Sequence, residues 1–206
     1  GEMNARRLLQ LSVFSYMFKD INHALRLENN DILADVGCAG GGMSVLFSSL
    51  VKKVLAYDIA KENIAYCKKS HIISNIEFIN KYIENVHNPE INKMFLGAVF
   101  QHFSKDQLES FANSILTLSQ FPNLKKVFIS HIPDFRKQYK WLEGYKNFIS
   151  DKKELEKVRH GWKYNNSWYE PKDIQEYFGE KFNVTILNKI LSLPNHKQIK
   201  INKSYI

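Results

Sequence analysis

The stretch Asp31-Ile32-Leu33-Ala34-Asp35-Val36-Gly37-Cys38-Ala39-Gly40-Gly41-Gly42-Met43-Ser44 decides the reading of this chain. Ile32 to Val36 is a short apolar run of the kind that forms a buried strand. It ends in a cluster with four glycines in six residues, Gly37 to Gly42. A helix-period pattern with Val45, Leu46, Leu50 and Val51 follows. Glycines at a strand-to-helix junction permit tight turning and close approach of a ligand to the backbone. The N–H groups that open the helix can face an anionic group. The alternative is a plain tight turn, against which the glycine density and its position both argue.

Working outward, the pattern alternates. Lys53 to Tyr57 reads as the second strand and is closed by Asp58, Glu62 to Ser70 as a helix, and Ile76 to Ile79 and Met94 to Phe100 as strands. Ser104-Lys105-Asp106-Gln107 is a capping box, in which Ser104 accepts from the third backbone N–H and Gln107 reaches back. The helix it opens turns Leu108, Phe111, Ile115 and Leu118 inward. Lys126 to Ser130 is a further strand, and Glu170-Pro171 starts a helix that Gly179 ends. Asn183 to Leu187 and Gln198 to Lys203 read as a last, antiparallel pair, because their connection is too short for a crossover helix. Before the glycine stretch, residues 1–30 form a helical region with Phe14, Met17, Phe18, Ile21 and Leu25 on one face. The whole predicts an α/β domain over 1–206, a mostly parallel sheet with helices on both faces. Ligands of such sheets sit outside the carboxyl ends of the strands. The residues to watch are therefore Gly37–Gly42, Asp58, Asn80–Tyr82, Gly97–His102 and His131–Asp134.

Composition narrows the class. The chain has 206 residues, 44% hydrophobic and 24% charged, which is ordinary globular usage and excludes disordered, collagen-like and coiled-coil chains. No apolar run reaches the length of a membrane span, and no secretory signal is evident. Gly1-Glu2 ahead of Met3 reads as a cloning remnant. Cys38 and Cys67 are too few for a disulfide framework or a four-ligand zinc site, so no metal is expected and a reducing cytoplasm is the default. The net charge is +8. It is carried by scattered lysines with only five arginines, which suits compositional bias better than a groove-reading surface. Nucleic acid stays a possible but unfavoured partner.

Three ligand classes compete for the glycine loop. The spacing from Gly37 to Ser44 matches the phosphate loop of nucleoside triphosphatases, except that Met43 stands where lysine must be. Without that cation the reading fails. The dinucleotide fingerprint needs glycine where Ala39 stands and is only partly met. Asp58, 23 residues after Asp35, can accept ribose hydroxyls under either a nicotinamide reading or the third one.

Ala34-Asp35-Val36-Gly37-Cys38-Ala39-Gly40-Gly41 resembles the first motif of class I S-adenosylmethionine (SAM)-dependent methyltransferases, an apolar-Asp-apolar-G-x-G-x-G pattern with Ala39 replacing the middle glycine. Gly97-Ala98-Val99-Phe100-Gln101-His102-Phe103 resembles the stretch after the fourth strand in the small-molecule members. The resemblance covers about Asp31 to Ser130 and, more loosely, the tail. It implies a Rossmann-like, seven-stranded sheet with an antiparallel last strand, SAM as cofactor and S-adenosylhomocysteine as product. It implies that Asp35, Gly37, Cys38, Ala39 and Gly41 hold the loop and the cofactor's amino-acid end. Asp58 and Ile59 would meet the ribose and its surroundings, Tyr82 or Ile83 the adenine, and Gly97, Ala98 and Gln101 the methionine part. An acid is common in the family where Tyr82 stands.

His131 and His102 both follow strands at the ligand edge and are the candidate general bases, packing or capping being the alternative for each. Asp134 can orient a histidine or bind substrate. Residues 131–168, rich in aromatics and cations, read as an acceptor-binding insertion with Tyr139, Trp141 and Trp162 as contact candidates. The expected activity is methyl transfer to a small molecule, at a hydroxyl of a sugar or phosphorylated metabolite. The competing readings are an RNA or protein methyltransferase and a non-catalytic SAM-binding partner subunit. Nothing in these motifs fixes the oligomeric state.

Overall fold

The computed structural model describes residues 18–116, 120–139, 143, 150–165, 168–179, 183–184, 187–190 and 202–205. Five strands form a parallel sheet in the order β3-β2-β1-β4-β5. They are β1 (Ile32–Val36), β2 (Lys53–Asp58), β3 (Ile76–Asn80), β4 (Lys93–Gly97) and β5 (Lys126–Ser130). β1 pairs with β2 so that Val36 lies opposite Tyr57, and β2 with β3 so that Asp58 lies opposite Asn80. β1 and β2 are buried along nearly their whole length, as their continuous apolar runs require of strands covered on both faces. The helices are α1, whose described part is 18–25, α2 (Gly42–Ser48), α3 (Lys61–Ser70), α4 (Lys105–Leu116), α5 (Lys152–Asn165) and α6 (Pro171–Phe178).

By its internal contacts the chain divides into two compact units, one of residues 1–95 and 121–128 and one of residues 96–120 and 129–206. In the first unit, Phe47 of α2 packs edge-on to Phe95, which stacks on Phe128. Ile21 and Leu25 of α1 are buried, as the helical face in the sequence requires. The entry into β1 is fixed by polar groups. Asp31 and Lys93, both buried, pair at 2.6 Å. Lys93 also donates to the Arg26 carbonyl. The Asn92 side chain accepts from Ile32 N–H and donates to Asp31. Burying an ion pair is tolerable because each charge has further hydrogen bonds.

In the second unit the Ser104–Gln107 capping box forms as expected, with Ser104 N–H donating to Gln107 Oε1 and Gln107 N–H to Ser104 Oγ. Leu108, Phe111 and Ile115 are fully buried; Leu118 lies outside the described residues. A second reciprocal box, Glu170 with Asp173, opens α6 behind Pro171. Phe100 is the centre of an aromatic cluster with Phe103, Phe111, Tyr169 and Phe178.

Two expectations need correction. The sheet is not seven-stranded with an antiparallel last strand: among the described residues β6 (Leu187–Ile190) and β7 (Asn202–Tyr205) form a separate antiparallel pair. The antiparallel relation was legible from the short connection, whereas membership in the main sheet was not. Asn202-Lys203-Ser204-Tyr205 lacks the apolar run that a strand covered on both faces needs. The fourth strand also stops at Gly97, because Ala98 turns to a left-handed φ of 59° and Phe100–His102 coil into a 3₁₀ turn that buries Phe100. Of the N-terminal helical region, Phe14 and Met17 lie outside the described residues.

The Tyr169 hydroxyl lies 3.0 Å from the carbonyls of both Phe100 and Phe103 and serves them as donor. Tyr169→Phe removes the donor and leaves a buried carbonyl without it, so the variant is expected to lose about 1–2 kcal/mol in urea unfolding. An unchanged unfolding midpoint would show that this hydroxyl does not hold the turn after β4.

Candidate cofactor and acceptor sites

In the first unit the site is a loop bent by left-handed residues. Gly37, Ala39 and Gly41 take φ of 73°, 47° and 76°. These are the three positions of a G-x-G-x-G pattern, so the sequence places its glycines where the backbone needs them, with Ala39 the exception. Gly37 and Cys38 donate their N–H groups to the Tyr57 carbonyl at 2.8 and 3.0 Å, which ties the loop to the end of β2. Asp58 completes the tie. One of its oxygens accepts Ala39 N–H at 2.8 Å, and the other accepts Ala60 N–H at 2.8 Å and the Asn63 amide at 3.3 Å. Asp58 was picked out for ribose. It is buried and acts first as the anchor of the glycine loop.

Asp35 is fully enclosed beneath the loop and accepts the Ser44 hydroxyl at 2.5 Å. Burial pushes its carboxyl up to about 6, with the Ser44 bond opposing and the Asp58 charge adding to the rise. The folded chain therefore keeps this proton to about pH 6, while an unfolded aspartate loses it near pH 3.8. Stability from this group falls as pH rises between those values, by an order of 3 kcal/mol. A cationic ligand group beside Asp35 would offset that cost.

Two apolar side chains stand in water at the carboxyl ends of β2 and β3. Ile59, directly after Asp58, is 61% exposed, and Tyr82, two residues past β3, is 52% exposed. Ile83 beside it is buried in a 3₁₀ turn.

Sequence reasoning gave His71 no role, yet its Nε2–H donates to the Gly40 carbonyl at 2.9 Å. The carbonyl can only accept, which assigns the proton to Nε2. Cys67 donates to the Ala39 carbonyl at 3.2 Å. The signal that could have found both is their position in the last turn of α3, the helix that follows Asp58.

In the second unit, Ala98 and His131 are left-handed, at φ of 59° and 60°, just past β4 and β5, and Ala98 N–H donates to the Ser130 carbonyl. For non-glycine residues this conformation is strained, and such strain gathers at functional sites. The Ser130 hydroxyl is 3.0 Å from His131 Nδ1. Gln101 donates its amide to His102 Nε2 at 3.2 Å, so these two candidates engage each other. Among the described residues Asp134 hydrogen-bonds to Arg136. It caps the 3₁₀ turn Phe135–Lys137 through Arg136 N–H, and it holds the Arg136 guanidinium in a fork at 3.0 and 2.8 Å. Burial alone would raise its carboxyl, but the Arg136 bonds and the Arg136 and Lys137 charges hold it below the usual range. Arg136 stays 53% exposed at its side chain and Tyr139 is 77% exposed. Trp141 and the Trp162 side chain lie outside the described residues.

Residues 34–118 match the family model described as a methyltransferase domain. Among solved structures, a SAM-dependent methyltransferase from Anabaena variabilis is similar at a TM-score of 0.61 and 14% identity, over 92% of this chain and 81% of that one. Magnesium protoporphyrin IX methyltransferase from Synechocystis, solved with bound S-adenosylhomocysteine, gives 0.60 and 12%, over 94% and 78%. A precorrin-8w decarboxylase from Methanobacterium thermoautotrophicum gives 0.50 and 14%, over 92% and 87%. At such identities the likeness is one of fold. Curated proteins give no match to the sequence.

A Cβ on Gly41 would sit 3.0 Å from Cys67 Sγ, 3.0 Å from His71 Cδ2 and 3.1 Å from Phe78 Cε1, whereas a Cβ on Gly42 meets nothing within 4 Å. Gly41→Ala adds left-handed strain to that crowding and is expected to cost at least about 2 kcal/mol in urea unfolding. Gly42→Ala, at the start of α2, is expected to be neutral or stabilising. Equal effects of the two would contradict the tight packing behind the loop.

Proposed function

We propose that this chain, whose residues 34–118 match a model described as a methyltransferase domain, is a class I SAM-dependent methyltransferase that transfers a methyl group from SAM to a hydroxyl of a small molecule, a sugar or a phosphorylated metabolite. The observation that carries the cofactor half is the loop of three left-handed residues anchored on Asp58, with Ile59 and Tyr82 exposed beside it. The match supports a methyltransferase; the acceptor rests on the side chains of the second unit.

When bound, SAM supplies an activated methyl group on a positively charged sulfur. The chain's part is to position and desolvate, which can be worth about 7–11 kcal/mol. Asp35 and Asp58 provide negative charge, and no lysine stands in the loop, so the first unit suits a cationic ligand. Asp35, from beneath the loop, would offer negative charge toward the cofactor's ammonium, Asp58 would hold its ribose, and Ile59 with Tyr82 or Ile83 would meet its adenine.

His131 is the preferred base. In the tautomer whose Nδ1–H donates to the Ser130 hydroxyl 3.0 Å away, Nε2 would take the proton of an acceptor hydroxyl, for a gain of roughly 10²–10⁴-fold. His131 ranks first because it heads the aromatic insertion; His102, whose Nε2 accepts from Gln101, is the second candidate. Arg136, held still by Asp134, and Lys137 supply cations for a phosphate or carboxylate, and the exposed Phe135 and Tyr139 supply apolar faces.

Calorimetric titration tests the cofactor half. Micromolar SAM binding is expected, reduced at least tenfold in Asp58→Ala. Because Asp35 ionises near pH 6, affinity for the cation should rise with pH between 5 and 7 in the wild type and stay flat in Asp35→Asn. Folded protein that binds neither SAM nor its product would overturn the reading.

A further inference from the structure

Ala39 occupies the position where the resembling family has glycine, and it is left-handed there. An L-residue pays roughly 1–2 kcal/mol for that conformation, so something must hold it. Its N–H is held by Asp58. Its carbonyl and that of Gly40 are held by the last turn of α3, through the Cys67 thiol and His71 Nε2–H. These two residues are one helical turn apart, and His71 N–H closes α3 on the Cys67 carbonyl at 2.9 Å. The imidazole is itself fixed, lying edge-on to Tyr66 and against Phe78, each at 6.1 Å between ring centres. Gly41 has no side chain where Cys67, His71 and Phe78 converge. Because a trans peptide points its C=O and N–H in opposite directions, an Ala39 carbonyl turned to α3 sends the Gly40 N–H away from it, and Gly40 is exposed.

We propose that Cys67 and His71 are positioning residues for cofactor binding, a thiol–imidazole clamp that holds the 39–41 peptide groups in the ligand-ready conformation that a second glycine would otherwise supply. This rests on the SAM reading above. Burial, followed by the Asp58 charge, raises the Cys67 thiol, which keeps it protonated and a donor at neutral pH. The clamp forms and breaks no covalent bond. It shifts the loop's conformational equilibrium, and affinity scales with the population of the competent form.

The test is titration of S-adenosylhomocysteine against variants, with amide hydrogen exchange of the ligand-free loop read in parallel. Cys67→Ala and His71→Ala should each weaken binding roughly 5- to 10-fold, the weight of one hydrogen bond. Cys67→Ser and His71→Gln, which keep a donor, should recover most of it. Ala39→Gly in the Cys67→Ala background should also recover binding, since glycine adopts the conformation without the clamp. In the ligand-free protein the Ala39 and Gly41 amides should exchange faster in the alanine variants and return toward wild type in the donor-retaining ones. Wild-type affinity in both alanine variants, or losses that neither the donor-retaining variants nor Ala39→Gly recovers, would overturn the clamp. If the wild type binds no S-adenosylhomocysteine, the cofactor reading falls, and the exchange ordering alone then upholds or overturns the clamp.

Discussion

Asp58 takes Ala39 N–H on one carboxylate oxygen and Ala60 N–H on the other, at 2.8 Å each, and the neighbouring segments depend on that pair of bonds. The loop after β1 and the start of α3 after β2 are thereby held to one buried side chain. The parallel register puts Val36 beside Tyr57, so the Tyr57 carbonyl can receive Gly37 and Cys38 N–H from the same loop. A buried carboxylate with several N–H partners is a low-cost anchor, because its charge is met where it lies. Without it the left-handed Ala39 would relax and the loop would lose its shape.

The two units hold different chemistry. The first has its acids under and beside the glycine loop and exposed apolar side chains at the ends of β2 and β3. The second has His131 just past β5, His102 in the turn after β4, and a buried aspartate that steadies an exposed arginine. Under the proposed function the former would serve the cofactor and the latter the acceptor. Among the described residues no helix is long and apolar enough to cross a membrane.

Much of this was legible in the chain. Strands β1 and β5 fall on the residues that periodicity marks, and the Ser104–Gln107 box forms as its spacing requires. The tight turning expected of the glycine cluster is present, with left-handed φ at Gly37 and Gly41, whereas the left-handed Ala39 was not legible from residue type. What escaped depends on tertiary partners. Asp134, two and three positions before Arg136 and Lys137, carries the pairing in plain view, but that it also caps the turn through Arg136 N–H depends on the backbone's path. His71 lies 31 positions from Gly40, and no local pattern links them. The tail strands misled because a strand's membership in a sheet depends on what covers it, which periodicity does not encode.

The most direct test of the account is a crystal structure of the protein soaked with S-adenosylhomocysteine. The account predicts density against Ala39–Gly41, with the ribose on Asp58 and the adenine beside Ile59 and Ile83. Well-ordered protein with that loop in place and no ligand there at saturating concentration, or ligand bound elsewhere, would contradict it.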